Sequence, residues 1–281
     1  MIPWLGRCSK WAMGGPWSGK LGGRFAAGWL GLCLALYLSF AATLATAGAE
    51  RQLLQSAQTA YEATDYQAAL KQYEALSQLG IDSPYLAYNI GNCHMRLGQV
   101  PQALARYRQA AYDLPRNANV RANLRLARQE VRDAPPPPGP PVWLRGFLFW
   151  HFALNPQELF YLAAVVHWLW FGIIVALPAL RRRPALAGLQ RPLLLSVGSL
   201  WLLLLGSLAW HTWLPGRVAV IVQPQAAVHT GSGSDTAIRF RLSQGAEAEI
   251  RRQSGSWLHV VVSDGREGWI YKSDAWVVKA L

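Results

Sequence analysis

The stretch LFYLAAVVHWLWFGIIVALPAL, residues 159–180, is one of two apolar segments that decide the architecture of this chain. The other is PLLLSVGSLWLLLLGSLAWHTWL, residues 192–214. Neither segment contains Lys, Arg, Asp or Glu. Because about 20 apolar residues in a helix span the hydrocarbon core of a bilayer, we predict two transmembrane helices within residues 158–214.

The loop between these segments, residues 181–191, is basic. It carries Arg181, Arg182, Arg183 and Arg191 and no acidic residue. Short arginine-rich loops stay on the cytoplasmic side of a membrane. We therefore predict a multi-pass protein of the bacterial inner membrane, with the parts before and after the helix pair on the periplasmic side.

The N-terminal 47 residues have the pattern of a signal peptide. Residues 1–24 are basic, residues 25–42 are apolar, and Ala45, Thr46 and Ala47 form a small-x-small cleavage pattern. Cleavage is expected after Ala47, and an uncleaved N-terminal anchor is the alternative. Either way, residue 50 begins outside the cytoplasm, in agreement with the arginine loop.

The formal charge of +12 does not indicate nucleic-acid binding, because eight of these charges lie in two membrane-flanking segments. Those segments are the N-terminal 24 residues and the arginine loop.

Three cysteines provide neither a disulfide framework nor metal-ligand spacing, and we predict no cofactor. No nucleophile–base pair or phosphate loop stands in a catalytic context, so we expect a protein that is not an enzyme. We expect Glu247 and Glu249 to face solvent, and His211, near the outer end of its helix, to reach the lipid headgroups.

Residues 50–133 repeat with an offset of 34. Ala69, Tyr73 and Asn89 recur as Ala103, Tyr107 and Asn123. This period of paired amphipathic helices resembles tetratricopeptide repeats, with about two and a half repeats ending in a capping helix over residues 117–131. The resemblance implies an all-α solenoid, in which Gly91 lets two helices approach closely and Cys93 is a buried, inert thiol.

In this architecture, first-helix side chains line a concave face. We predict a peptide-binding repeat groove whose amides bond a peptide backbone and whose arginines attract carboxylates. The alternative is a solvated basic face, formed by the stripe of Arg121, Arg125, Arg128 and Arg132 on the capping helix, with asparagines that satisfy local groups. The residues of the predicted repeat groove are Asn89, Asn92, Arg96, Arg121, Asn123 and Arg125.

Residues 134–157 begin with six prolines in eight residues, which predicts a stiff extended spacer, and continue with an aromatic-rich interfacial segment.

Residues 215–281 change to period two, with Leu258, Val260 and Val262 expected to face inward. The residues Gly255-Ser-Trp257 and Asp264-Gly265-x2-Gly268-Trp269-Ile270 resemble the bacterial SH3 (SH3b) family, which implies a small all-β barrel. Trp257, Trp269 and Tyr271 are candidates for a ligand-facing aromatic strip. The alternative is that these rings belong to the core, which we expect Trp257 to anchor.

The order of signal segment, repeats, helix pair and SH3-like domain resembles the tetratricopeptide repeat proteins of bacterial Bat (aerotolerance) operons. The stretches Ala87–Asn92 and Asn123–Arg128 carry that likeness. The resemblance implies a scaffold that works with membrane-anchored von Willebrand factor A-type proteins and a MoxR-type ATPase. A sensor or tether that binds cell-wall peptidoglycan is the alternative.

Overall fold

A computed structural model describes residues 48–131, 135–180, 188–214 and 216–280. Several predicted features lie outside these ranges: the signal peptide with its cleavage point, Arg181–Arg183 and Arg132. Residues Ser56–Leu281 form one compact unit, so the helical and β regions can be described together.

Five helices form the first region. The helix α1 covers residues 48–62, and the next four are α2 (Tyr66–Gln78), α3 (Pro84–Arg96), α4 (Val100–Asp113) and α5 (Ala118–Glu130). The starts of α2 and α4 are 34 residues apart, as are the starts of α3 and α5. The helix predicted over residues 117–131 is therefore present, capped by the Asn117 side chain, which accepts hydrogen bonds from two backbone amides.

The helices pack through small residues, as the sequence predicts. A Cβ on Gly91 would lie 2.7 Å from Cε1 of Tyr107, so α3 and α4 approach closely only because this position is glycine. Ala103, Leu104 and Tyr107 are buried beside it. Cys93 is also fully buried, and burial raises the pKa of its thiol to about 11, which keeps it protonated and unreactive.

Four further helices follow: α6 (Val142–Phe147), α7 (Phe149–Ala153), α8 (Pro156–Leu180) and α9 (Gln190–Trp213). Two segments, Pro156–Leu177 and Gln190–Trp213, are long and apolar enough to cross a membrane, with mean hydropathies of 2.1 and 2.0. Arg191, which we expected in the loop, lies in the first turn of α9. Most other side chains of this pair are exposed, as a lipid-facing pair requires.

The second region is a seven-stranded antiparallel sheet with strand order β3-β2-β6-β5-β4-β1-β7. Its core contains the three residues predicted to face inward, Leu258, Val260 and Val262. The turn at Asp264-Gly265 joins β5 to β6, as expected. The strands are β1 (Gly216–Ile221), β2 (Gln225–His229), β3 (Ile238–Ser243), β4 (Glu247–Ser254), β5 (Trp257–Val261), β6 (Glu267–Tyr271) and β7 (Ala275–Ala280).

Strand β1 differs from the half-buried strand that its alternating valines predict. Ala219 and Ile221 face the core of the sheet, whereas Val220 packs against α4 together with Trp276 and Val278 of β7. Both faces of β1 are therefore buried, because the helical region covers the side that would otherwise meet solvent.

The proline-rich segment, which we predicted to be a stiff extended spacer, packs against the protein. The backbone carbonyl of Pro136 accepts a 2.7 Å hydrogen bond from the Ser263 hydroxyl. Pro137–Pro140 line a cavity with side chains of α4 and α5. Proline carbonyls remain free to accept such bonds because an extended proline segment has no internal hydrogen bonds.

Candidate binding surfaces

Two asparagines of the predicted repeat groove bond to each other. The Tyr107 hydroxyl donates to Oδ1 of Asn92 at 2.8 Å, and Nδ2 of Asn123 donates to the same oxygen at 2.9 Å. Nδ2 of Asn123 also donates to the Tyr88 hydroxyl at 3.1 Å. These amides hold α3, α4 and α5 together, in the structural role that we had weighed as the alternative to peptide binding.

The other first-helix positions are less constrained. Asn89 is half-buried and makes no side-chain hydrogen bond within the described ranges. Arg96 is exposed, and its guanidinium lies 5.9 Å from the centre of the Tyr66 ring. A hydrogen bond with the Tyr61 side chain raises the pKa of Arg96 further above its usual value. Arg96 is thus accessible, and Asn89 is partly accessible.

Arg121 and Arg125 face away from the asparagines. They lie two positions before and after Asn123, and two positions correspond to about 200° around a helix. With Arg128 they form the arginine stripe that the sequence predicts on α5. The stripe lines a cavity of about 510 Å³, the basic cavity, whose cationic lining residues are Arg108, Arg121, Arg125, Arg128, Arg145 and Lys279. The predicted groove is thus divided between two sides of α5.

The hydrogen bonds of Asn92 predict that Asn92 and Asn89, two asparagines of α3, have different roles. We expect Asn92→Ala to lower the free energy of unfolding by about 1–2 kcal/mol, because the buried Tyr107 hydroxyl loses its acceptor. We expect Asn89→Ala, the matched control on the same helix, to change it by less than about 0.5 kcal/mol. Thermal unfolding of the detergent-solubilised chain measures both, and equal losses would contradict the assignment.

A buried ion cluster joins the helical region to the sheet. We expected Glu247 to face solvent, and this prediction is wrong: Glu247 is only 3% exposed. Its Oε2 accepts a hydrogen bond from the guanidinium of Arg108, and its Oε1 accepts one from Nε of Arg128 at 2.6 Å. Burial lowers the pKa of Arg108, and the adjacent Glu247 opposes that shift, so the arginine stays charged.

Aromatic contacts surround this ion cluster. The guanidinium of Arg106 lies 5.1 Å from the centre of the Trp276 ring, and the imidazole of His94 meets the same indole edge-on at 6.0 Å. His94 is buried and donates from Nδ1 to Oε1 of Gln99 at 2.6 Å. Burial lowers the pKa of His94, so it is neutral at pH 7. The helical region and the sheet therefore meet through two clusters. One is the ion cluster of Glu247, Arg108 and Arg128, and the other is the apolar cluster in which Trp276 packs against α4.

The three predicted strip residues lie together on one face of the sheet. Trp257 pairs across the strands with Tyr271, and their rings meet edge-on at 5.4 Å. Trp269 lies on the same face in the next cross-strand row. None of the three belongs to the sheet core, so the expectation that Trp257 anchors that core is wrong. We call Trp257, Trp269 and Tyr271 the aromatic strip.

Two histidines that the sequence reasoning missed flank the aromatic strip. His259 is the cross-strand partner of Trp269 on β5, and their rings are 5.0 Å apart. His229 is the partner of Trp269 on β2, and its ring lies 5.2 Å from that of Trp257. Nδ1 of His229 donates to the Thr236 carbonyl at 3.0 Å, which fixes the orientation of this ring. The period-two spacing of Trp257 and His259 along β5 could have predicted from the sequence that His259 lies on the same face as Trp257.

The junction of the helical region with α7 and α9 is also buried. We expected His211 to reach lipid headgroups, and this is wrong: His211 is 5% exposed. Its Nε2 donates to the His151 carbonyl at 3.1 Å, while the His151 ring shares a 2.8 Å hydrogen bond with the Ser207 hydroxyl. The Tyr112 hydroxyl donates to the His211 carbonyl at 3.3 Å. The helical region is thereby attached to the end of α9.

Beside this junction lies a cavity of about 690 Å³, the apolar cavity. Its walls come from the proline-rich segment, α6, α7, the last part of α9 and the start of β1. Exposed tryptophans surround this part of the molecule, as predicted for residues at a bilayer interface: Trp143, Trp210 and Trp213 are all more than half exposed.

These features define a helical region and an antiparallel sheet docked to each other and attached to two helices that could cross a membrane. No family model matches the chain, and no curated protein matches it either. Within the described ranges, no group of three or more His, Cys, Asp or Glu side chains could hold a metal ion.

Proposed function

We propose that this chain is a non-enzymatic scaffold of the bacterial cell envelope that holds partner proteins through its helical repeats and its SH3-like sheet. The aromatic strip is the observation that carries this proposal. Three large rings lie outside the core on an accessible face, next to two histidines. Tryptophan and tyrosine side chains dominate the energy of protein–protein contacts, so such a group is suited to partner binding.

The tetratricopeptide repeat assignment rests on helix spacing and packing. The 34-residue separation of equivalent helix starts is the period of that repeat. Gly91 against Tyr107 is the close helix approach that the pattern requires. The short strands and the hairpin at Asp264-Gly265 support the SH3-like assignment. Within the repeats, Asn89 and Arg96 are the positions that we propose for peptide contact.

We further propose that the helices α8 and α9 cross the inner membrane with the arginine loop inside, so that both binding regions are extracytoplasmic. The charge distribution of the sequence supports this orientation. By resemblance to Bat-type repeat proteins, the proposed partners are membrane-anchored von Willebrand factor A-type proteins and a MoxR-type ATPase complex, in a stress or aerotolerance complex.

A photocrosslinking amino acid at position 269 tests partner binding in intact cells. We expect crosslinks to envelope proteins with von Willebrand factor A domains. In the same crosslinker background, we expect Trp257→Ala to reduce their yield by about tenfold, because losing one central aromatic contact costs roughly 2 kcal/mol or more. Trp257 lies outside the core, so the chain should remain folded.

Position 143 supplies the matched control. Trp143 is a tryptophan on α6 that is 71% exposed and lies outside the aromatic strip. We expect no crosslinks to these partners from position 143. Crosslinks to peptidoglycan alone from position 269 would favour the wall sensor or tether. Equal labelling from both positions would contradict specific binding by the aromatic strip.

A further inference from the structure

The basic cavity holds more positive charge than the protein neutralises. Glu247 bonds Arg108 and Arg128, and Asp113 lies near Lys279. The three remaining cations, Arg121, Arg125 and Arg145, have no carboxylate partner among the described residues. They come from α5 and α6, so tertiary structure brings them together. Such a group of guanidinium forks matches a phosphate or another compact anion.

The apolar cavity adjoins the basic one. Arg108, Pro138, Gly139, Pro140 and Phe152 line both cavities, so the two cavities share a wall. On its far side, the apolar cavity follows α9 from Leu202 to Leu214, roughly 18 Å at 1.5 Å per residue. Leu202 and Leu203 are 64% and 54% exposed. A cationic compartment thus lies directly beside a long apolar one.

Arg108 lies where the two compartments meet. Its side chain is only 11% exposed, and its Nε is buried without a hydrogen-bond partner. Buried guanidinium N–H groups are normally satisfied, because leaving one unpaired costs about 1–3 kcal/mol. An anionic oxygen in the basic cavity would supply the missing acceptor. Glu247 already uses both of its oxygens on the other nitrogens of Arg108 and Arg128.

We propose that the two cavities together form a binding site for an anionic phospholipid, with the phosphate between the arginines and the acyl chains along α9. Charge complementarity selects the anionic headgroup, and the apolar compartment selects a ligand with hydrocarbon chains. The site lies beside exposed tryptophans at the end of a helix that is apolar enough to cross a membrane, where phospholipid is the abundant amphiphile.

Lipid retention by the purified full chain tests the site. The chain is delipidated in neutral detergent, incubated with dioleoylphosphatidylglycerol or dioleoylphosphatidylcholine, and examined by native mass spectrometry. We expect about 30-fold more retained phosphatidylglycerol, and a loss of similar size in Arg121→Gln/Arg125→Gln, because each of these two arginines contributes roughly 1 kcal/mol near an anionic lipid. Arg251→Gln/Arg252→Gln, an equal charge change on exposed residues of β4, should retain the lipid.

A cavity-filling variant tests the apolar compartment. Gly206 lines the apolar cavity, and a Cβ there would meet nothing within 4 Å, so Gly206→Leu should fold and block the acyl chains. Gly172→Leu on α8 has equally open space but lies outside the cavity, and it should retain the lipid. Equal retention of both lipids, retention unchanged by Gly206→Leu, or full displacement by inorganic phosphate would overturn the proposal.

Discussion

Replacing Glu247 with glutamine is expected to lower the free energy of unfolding by about 3–5 kcal/mol, because it leaves two arginines without their common counterion. The Arg108 and Arg128 side chains are 11% and 28% exposed, so solvent compensates little for the lost carboxylate. Thermal unfolding of the full chain in detergent, followed by tryptophan fluorescence, measures the loss. Trp276 lies at the same interface and should report its separation.

Glu249 provides a matched control for this substitution. It lies two residues further along β4, where its side chain is 41% exposed and pairs with the exposed Arg251 at 3.2 Å. Exposed ion pairs contribute only about 0–1 kcal/mol, so Glu249→Gln should have a small effect. Equal losses from the two substitutions would show that Glu247 does not hold the helical region on the sheet.

Replacing Gly91 with alanine is expected to destabilise the chain by about 1–3 kcal/mol, because the added methyl group overpacks the contact between α3 and α4. The new Cβ would lie 2.7 Å from Cε1 of Tyr107. That ring cannot withdraw easily, since its hydroxyl is bonded to Asn92 and the residue is only 1% exposed. The same thermal unfolding measurement gives the size of the effect.

The control for this substitution should change stability in the opposite direction. Gly146 lies within α6, and a Cβ there would meet nothing within 4 Å. Alanine favours a helix over glycine by up to about 1 kcal/mol, so Gly146→Ala should be neutral or stabilising. The double variant Gly91→Ala/Tyr107→Ala tests the clash. If it lost as much stability as the two single variants lose in sum, the proposed clash would be wrong.

The docking of the two regions limits how the proposed scaffold can work. Strands β1 and β7 are covered by α4, and Glu247 connects the sheet to α4 and α5. The helical repeats and the aromatic strip therefore keep one mutual orientation while this interface is intact. We expect partners to meet both surfaces as parts of one rigid body, and Glu247→Gln would test whether that geometry matters.

Local patterns were enough to predict most elements of this fold. The two apolar segments predicted α8 and α9 to within about three residues of their observed ends, because hydrophobic length is a local property. The 34-residue offset predicted the helices α2–α5, and the inward residues of β5 followed from period two. The proximity of Trp257, Trp269 and Tyr271 followed from a hairpin whose turn is marked in the sequence.

The sequence by itself therefore determined most elements and, for most of them, the face that they would bury, since helix and strand periodicities depend only on neighbouring residues. Tertiary structure alone decided which elements dock. It buried Glu247 against Arg108, 139 residues away, and covered both faces of β1. It also placed the arginines of α5 beside the proline-rich segment. Such contacts depend on long-range packing and charge pairing, which no local pattern records.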